Sequence, residues 1–439
     1  MGINTKVLSG FMELLPEEQL EFDRLKALVA SSFAGFGYTP IETPAIERSE
    51  ILSAKGGQET DRQTYFVTNG LTAAEPGQLA MRFDLTVPLA RYVAGHAGEL
   101  SFPFKVSHIG KSYRGERAQK GRFREFYQCD IDVIGKDSLS ILYDAEIPFC
   151  IYKLFRAMEI GKFTIRISNR RLLSGFLEAR GMLGSSQAVL RLIDKSEKIS
   201  EGALASSLHG LGLDSGQIDA LLRFIAIKGE PGRALGELSA IGTDSELYRT
   251  GLRELESVAG ALEQMGMESG FAAIDPSIAR GLDYYTGTVY ETGLDDTPVG
   301  SICSGGRYDD LAGQFTSQKL PGVGVSIGLT RLFWQLRDAG LLQFQRKTVA
   351  DCVLIPESPQ CMGLAFEAAG RLRDAGLSVD IFYEDVPMKK KFQYVSKKDA
   401  PYTAVAREGD FGLQYREGAE IAKVTVTLEE LVGRLSCRH

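Results

Sequence analysis

The residues best suited to chemistry lie in and just before RFREFYQCDIDVIG, residues 122–135. A strand sends successive side chains to opposite faces. One face here would hold Arg122, Arg124, Phe126, Gln128, Asp130 and Asp132; the other would hold Phe123, Glu125, Tyr127, Cys129, Ile131 and Val133. The preceding GKSYRGERAQKG adds Lys111, Arg114, Arg117 and Lys120. Arginine offers a planar fork of donors that meets phosphate oxygens two at a time. Arg114 and Arg122 flank the loop, so both could grip one polyphosphate. Phe126 shares a face with Arg122 and could lie against a purine ring. A solvated basic hairpin would have the same composition, and on these residues alone the two readings weigh equally.

Three further stretches could complete a site. In PGVGVSIGLTRLFWQL, Gly322, Gly324, Ser326 and Gly328 fall on one strand face and leave a flat floor. Glycine within a strand costs stability, and close approach of a ligand or of another backbone is a reason to keep it. Arg331 falls in the first turn of the next helix, where a cation opposes the helix dipole and an anionic ligand would relieve it. RGLDYYTGTVYE brings Arg280, Asp283, Tyr284 and Tyr285, and SGGRYDDL brings a Gly305-Gly306 turn with Arg307 and Tyr308. Two aromatic hydroxyls there suit a small polar ligand with an apolar wall. In MRFDLTVPLARY, Asp84 and Thr86 sit at a strand-to-helix turn. Asp84 could hold an ammonium group or simply cap the helix.

The elements that must position these residues follow from periodicity. FPFKVSHIGKSYR and RFREFYQCDIDVIG read as a long antiparallel hairpin around GERAQKG. A helix is expected over ELLPEEQLEFDRLKALVASSFAGFG, with Pro16 in its first turn and Gly35 and Gly37 ending it. YTPIETPAIE reads as extended. Residues from about 136 to 158 read as helix and FTIRIS as a strand. The chain divides into 1–169, a helical insertion at 170–268, a return of strands at 269–340, and a separate α/β domain at 347–439. The class is α+β. With 439 residues, 44% hydrophobic and 24% charged, the chain has ample core for several domains. A net charge of −7 argues against a uniformly basic nucleic-acid coat but not against a local basic groove. The six cysteines show no metal or redox spacing and the four histidines do not cluster, so no protein-held metal is expected. No signal peptide is read at MGINTKVLSG, and no apolar run reaches the roughly 18 residues of a membrane span. A cytoplasmic location is expected.

These pieces, in this order, resemble the class II aminoacyl-tRNA synthetases, and within them the histidyl-tRNA synthetase family. GFGYTPIETPAIE resembles the first class motif, YRGERAQKGRFREF the second and GVGVSIGLTRL the third. RGLDYYTGTVYE and SGGRYDDL resemble the two histidine signature peptides, and RFDLT and FYQCDID the amino-acid pocket. The resemblance implies an antiparallel-sheet catalytic domain with a helical insertion and a C-terminal anticodon-binding domain. It implies histidine, ATP with Mg²⁺, and tRNA(His) as partners, and a homodimer joined through the first motif. Asp84, Thr86 and Gln128 would bind the α-amino end of histidine. Asp132 would accept from the imidazole, with Tyr284, Tyr285 and Tyr308 lining that end. Arg114 and Arg280 would contact the substrate carboxylate and the α-phosphate. Arg122 and Arg331 would hold the outer phosphates, and Glu116 and Phe126 would meet the adenine.

Two departures stand out. Thr330 occupies the place where the third motif usually has glutamate, and AVAREGDFGLQYREGAE differs from the usual acidic segment of the C-terminal domain. Lys389, Lys390 and Lys391 could meet tRNA phosphates or form a solvated helix end. Two other functions share the resemblance: a synthetase-like regulatory subunit of histidine biosynthesis, and a histidine-adenylating enzyme with another acceptor.

Overall fold

The computed structural model describes residues 3–53, 62–68, 77–117, 120–196, 199–279, 285–295, 300–310, 312–344, 346–417 and 420–437. The chain forms two compact units, Met1–Met12 with Lys26–Leu342, and Glu13–Leu25 with Gln343–His439.

The first unit is built on an eight-stranded sheet. Its strands are β1 (Thr39–Ile41), β2 (Phe104–Tyr113), β3 (Glu125–Ile134), β4 (Phe163–Asn169), β5 (Ala272–Ile274), β6 (Thr288–Leu294), β7 (Cys303–Tyr308) and β8 (Gly322–Gly328). The spatial order is β1-β2-β3-β8-β7-β6-β4-β5. The end pairs β1·β2 and β4·β5 are parallel and the interior pairs are antiparallel. The hairpin β2·β3 keeps its register for ten residues, from Phe104 opposite Ile134 to Tyr113 opposite Glu125. Strand β3 is interior to the sheet. Its Cys129, Ile131 and Val133 share one face with their β8 partners Ile327, Val325 and Val323, and all six are buried.

Helix α1 (Pro16–Gly35) ends at the expected glycines. Helix α2 (Thr86–His96) begins two residues before Pro88. Helix α3 (Tyr143–Met158) starts seven residues later than the expected 136. Two features hold this stretch off a helix: Asp137, with φ 65° and its N–H on the Lys319 carbonyl at 2.8 Å, and Arg307. The Arg307 guanidinium donates to the carbonyls of Leu139 and Ser140, at 3.2 and 2.9 Å, and through Nε to the Asp144 carboxylate at 3.0 Å. The Leu139 carbonyl is aimed at a side chain, and the Ser140 carbonyl is shared between Arg307 and the Tyr143 N–H at 3.4 Å. Tyr290 closes the arrangement by donating to the Asp144 carbonyl at 2.7 Å. Arg307 thus belongs to the core, not to a ligand turn, and Gly305-Gly306 lies within strand β7.

Between β4 and β5 the chain forms helices at Arg170–Ala179, Ser186–Ile193, Glu201–Gly210, Ser215–Ile225, Pro231–Ala240 and Glu246–Gln264. The first and last of these cross at two glycines. A Cβ on Gly175 would strike the backbone at Tyr248, and one on Gly251 would strike the backbone at Leu172.

The second unit carries a five-stranded sheet in the order Val379–Ile381, Cys352–Pro356, Tyr402–Ala406, Phe411–Glu417, Glu420–Val426. The first three are parallel and the last two add an antiparallel hairpin. Phe411–Glu417 is a strand that the sequence reading did not assign; its Phe411 and Leu413 are buried in alternation. Lys391 is buried and donates to the Pro356 carbonyl at 2.7 Å, which removes it from any phosphate-facing run. Lys389 and Lys390 remain exposed.

Removing one partner of a buried ion pair costs about 3–5 kcal/mol, because the other charge stays buried. Arg307→Met is expected to lose that much in urea unfolding, and Arg307→Met/Asp144→Leu to recover part of it. A loss below ~1 kcal/mol for the single variant would show that the pair does not organise the start of α3.

Candidate active site

Strand β3 turns Gln128, Asp130 and Asp132 to the face opposite its apolar residues. All three are buried. Their partners across β8 are Gly328, Ser326 and Gly324. The Tyr308 hydroxyl donates to Asp132 Oδ1 at 2.8 Å, reaching over β8 from β7. The glycines make that reach possible. A Cβ on Gly324 would land on the Asp132 carboxyl, and one on Gly322 would enter the Tyr308 ring. Gly322 and Gly324 therefore make room for two side chains, and Gly324, with Ser326 and Gly328 of the same face, also lines the cleft. Gly306 likewise accommodates the Tyr285 ring, 2.9 Å from where its Cβ would be.

The other end of the same face is cationic. The Arg114 guanidinium lies 4.5 Å from the Phe83 ring centre and 5.0 Å from that of Phe126, and its Nε donates to the Phe83 carbonyl at 3.1 Å. Two rings and one bond fix the orientation of the fork. Arg122 bonds Glu116 across the loop at 3.1 Å. Arg331 is the third residue of α4 (Leu329–Asp338). Thr330 is buried beside it and accepts the Tyr127 N–H at 2.8 Å, so this position ties α4 to β3. Other cations of the hairpin point elsewhere. Lys111 pairs with Glu125 at 2.8 Å, Lys120 with Asp338 at 3.1 Å, and Arg124 Nε donates to the Glu116 carbonyl at 2.9 Å.

A cleft of about 480 Å³ joins the two ends. It is lined by Asp84, Thr86, Gln128, Asp132, Tyr285 and Tyr308, and by Arg114, Glu116, Arg122, Phe126 and Arg331. Arg280 and Tyr284, with Asp283, lie outside the described residues. Asp84 both lines the cleft and caps α2, accepting the Val87 N–H at 3.0 Å. Asp130 and Ser326 also line the cleft, although no ligand contact was expected of either from sequence. Their alternation with Gln128, Asp132 and Gly324 was the available signal.

Three carboxyl groups crowd one end of this cleft. Burial raises Asp84 above the ordinary carboxylate range, against the pull of the Val87 N–H and Arg114. Burial raises Asp130 well above it, and Asp132 and Asp84 add to this while Ser326 and Arg114 oppose it. Asp132 is pushed up to about 7 by burial, with Asp84 adding and the Tyr308 bond opposing. An occupant bearing positive charge or N–H donors would reverse these costs.

The family model for histidyl-tRNA synthetase matches residues 10–332, and that for the anticodon binding domain matches residues 351–438. The chain belongs to the histidyl-tRNA synthetase family. The histidine–tRNA ligase of Clostridium tetani (strain Massachusetts / E88) is 46% identical over 410 residues, covering 93% of this chain and 92% of the relative. That of Stenotrophomonas maltophilia (strain K279a) is 45% identical over 425 residues, with 93% and 92% covered. The crystal structure of histidyl-tRNA synthetase from Nostoc sp. PCC 7120 superposes with a TM-score of 0.90 at 37% identity, covering 100% of both chains. The fold is that of this family: a large mixed sheet with helices in the first unit and a separate smaller sheet in the second.

Within this synthetase-family site, Asp132 carries a stability cost with a definite sign. The native carboxyl keeps its proton to about 7, while an ordinary aspartate releases it near 3.8. Between those values the native state binds more protons than the unfolded one, so stability falls as pH rises. The cost is absent below the lower value and complete above the upper. Asp132→Asn is therefore expected to melt above the parent at about pH 8, with the gap closing towards about pH 4, by scanning calorimetry. Lower melting of the variant at the higher pH would contradict this.

Proposed function

We propose that this chain is a histidine–tRNA ligase that activates histidine with ATP and transfers it to tRNA(His). One observation carries the reading: a buried carboxylate oriented by Tyr308 and a ring-clamped arginine occupy opposite ends of a single cleft. Family membership and the anticodon-binding domain support it.

In this reading the imidazole N–H bonds Asp132, with Tyr285 and Tyr308 around the ring. The α-ammonium lies among Asp84, Thr86 and Gln128. The histidine carboxylate, already ionised at neutral pH, attacks the α-phosphorus of ATP. A carboxylate oxygen–phosphorus bond forms, the bond to the β-phosphate bridging oxygen breaks, and pyrophosphate leaves. No protein base is required. The work of the site is in-line placement and neutralisation of charge at phosphorus. Arg114 does this at the reacting end, and the resemblance gives Arg280 the same role. Arg122 and Arg331 hold the outer phosphates, and Phe126 and Glu116 meet the adenine. ATP would come as its Mg²⁺ complex, whose counter-charge would add to that of Arg122 and Arg331. The ribose hydroxyl at the tRNA end then takes the histidyl group and AMP leaves.

We further propose a homodimer in the cytoplasm. Strand β1, within the segment resembling the first class motif, lies at the edge of the sheet, where a partner could add. The six cysteines are free thiols, five of them buried, which suits a reducing compartment.

Histidine-dependent exchange of pyrophosphate into ATP is the test, followed by charging of tRNA(His). Asp132→Ala is expected to lower kcat/KM for histidine by about 10²-fold or more, the loss of a buried bond to a charged acceptor. Exchange that does not require histidine, or that Asp132→Ala leaves intact, would refute the assignment.

A further inference from the structure

The reading above gives Gln128 to the substrate ammonium, and an amide can present either its oxygen or its nitrogen there. The structure contains a device that chooses. Gln128 Nε2 donates to Ser326 Oγ at 2.8 Å, and Ser326 Oγ donates its single hydrogen to Asp130 Oδ1. Ser326 faces Asp130 directly across β3·β8, and the neighbouring partner of Gln128 is Gly328, which has no side chain to intervene. Gln128 is 7% exposed, and its Oε1 is buried with no hydrogen-bond partner among the described residues. It is an acceptor kept in reserve within a side chain that lines the cleft.

Resting on the ligase reading, we infer that Asp130 and Ser326 are positioning residues that hold the Gln128 amide with its carbonyl oxygen offered to the substrate's α-ammonium. A hydroxyl has one hydrogen. While Asp130 accepts it, Ser326 can only accept from Gln128, so the NH₂ end is engaged and the oxygen is left for the ligand. Were the Asp130 carboxyl protonated, it would donate to Ser326. The serine hydrogen would then be available to the amide oxygen, and the NH₂ would turn to the ammonium and repel it. The charges that bear on Asp130 are Asp132 on the same strand, Asp84 before α2, and Arg114 at the end of β2. An ammonium entering among the three carboxyls favours the ionised form, so substrate arrival and the productive amide orientation reinforce each other.

The test compares histidine with 3-(imidazol-4-yl)propionate, which keeps the ring and carboxylate but lacks the amine. Calorimetric titrations use the full-length chain and its Ser326→Ala, Asp130→Asn and Ser326→Thr variants. Ser326→Ala and Asp130→Asn are expected to weaken histidine by ~10-fold, the loss of about one well-placed bond. The amine-free analogue and the KM for ATP should change by less than about twofold in the same variants, because neither meets the amide. Ser326→Thr, which keeps the hydroxyl, should restore histidine binding. Equal losses for both ligands would overturn the inference and leave Asp130 and Ser326 as packing residues. Wild-type histidine affinity in Ser326→Ala would overturn it while leaving the ligase reading standing. A parent chain that fails to bind histidine at all would refute the ligase reading itself.

Discussion

Half-buried Asp84 and the buried Asp130 and Asp132 are gathered at one end of a cleft, and much of the catalytic unit is arranged around that cost. Carboxylates in a low-dielectric site need hydrogen bonds or opposite charge. The described residues supply only part of what they need. Tyr308 donates to Asp132, Ser326 to Asp130, and the Thr86 and Val87 N–H groups at the start of α2 to Asp84. In the proposed function a ligand with an ammonium and ring N–H donors supplies the remainder. Across the cleft, Arg114 is fixed between two rings, so the site is polarised before anything enters it. Orientation in advance of binding is what makes such a field useful for catalysis.

Arg307 and Tyr308 show how one strand serves two purposes. They are adjacent in β7 and point to opposite faces. Arg307 is matched by Asp144 and two backbone carbonyls, and the result is a closed, structural arrangement. Tyr308 crosses two glycines to reach a carboxylate that keeps acceptor capacity for a ligand. Fully satisfied polar groups hold the sheet to α3. Partly satisfied ones form the site. The unfavourable charge at Asp132 is thus a local loss of stability, carried by a sheet whose other face is tied to α3 through Arg307 and Asp144.

Much of this was legible in the sequence because the site lies on regular strands. The period of two in FYQCDIDVI separates pocket from core, and the hairpin register then brings Arg114, Phe126 and Asp132 onto one cleft. Other features depend on which backbone passes nearby, and no local pattern encodes that. The glycines of GVGVSIG look the same whether they floor a nucleotide or clear a path for Tyr308. Arg307 looks like a ligand-binding cation until Leu139 and Ser140 are seen to aim their carbonyls at it. Ser326 gains meaning only through its register with Asp130. The strand Phe411–Glu417 had the right alternation, but its neighbours in sequence are glycine and charge, and its pairing with Tyr402–Ala406 is what defines it.

The central claim is that one polar strand face reads an imidazole at one end and receives a triphosphate at the other. A crystal structure with histidine and a non-hydrolysable ATP analogue measures this directly. The account requires an imidazole nitrogen within hydrogen-bond distance of Asp132 and the phosphates among Arg114, Arg122 and Arg331. An imidazole turned away from Asp132, or a nucleotide seated outside this cleft, would contradict it.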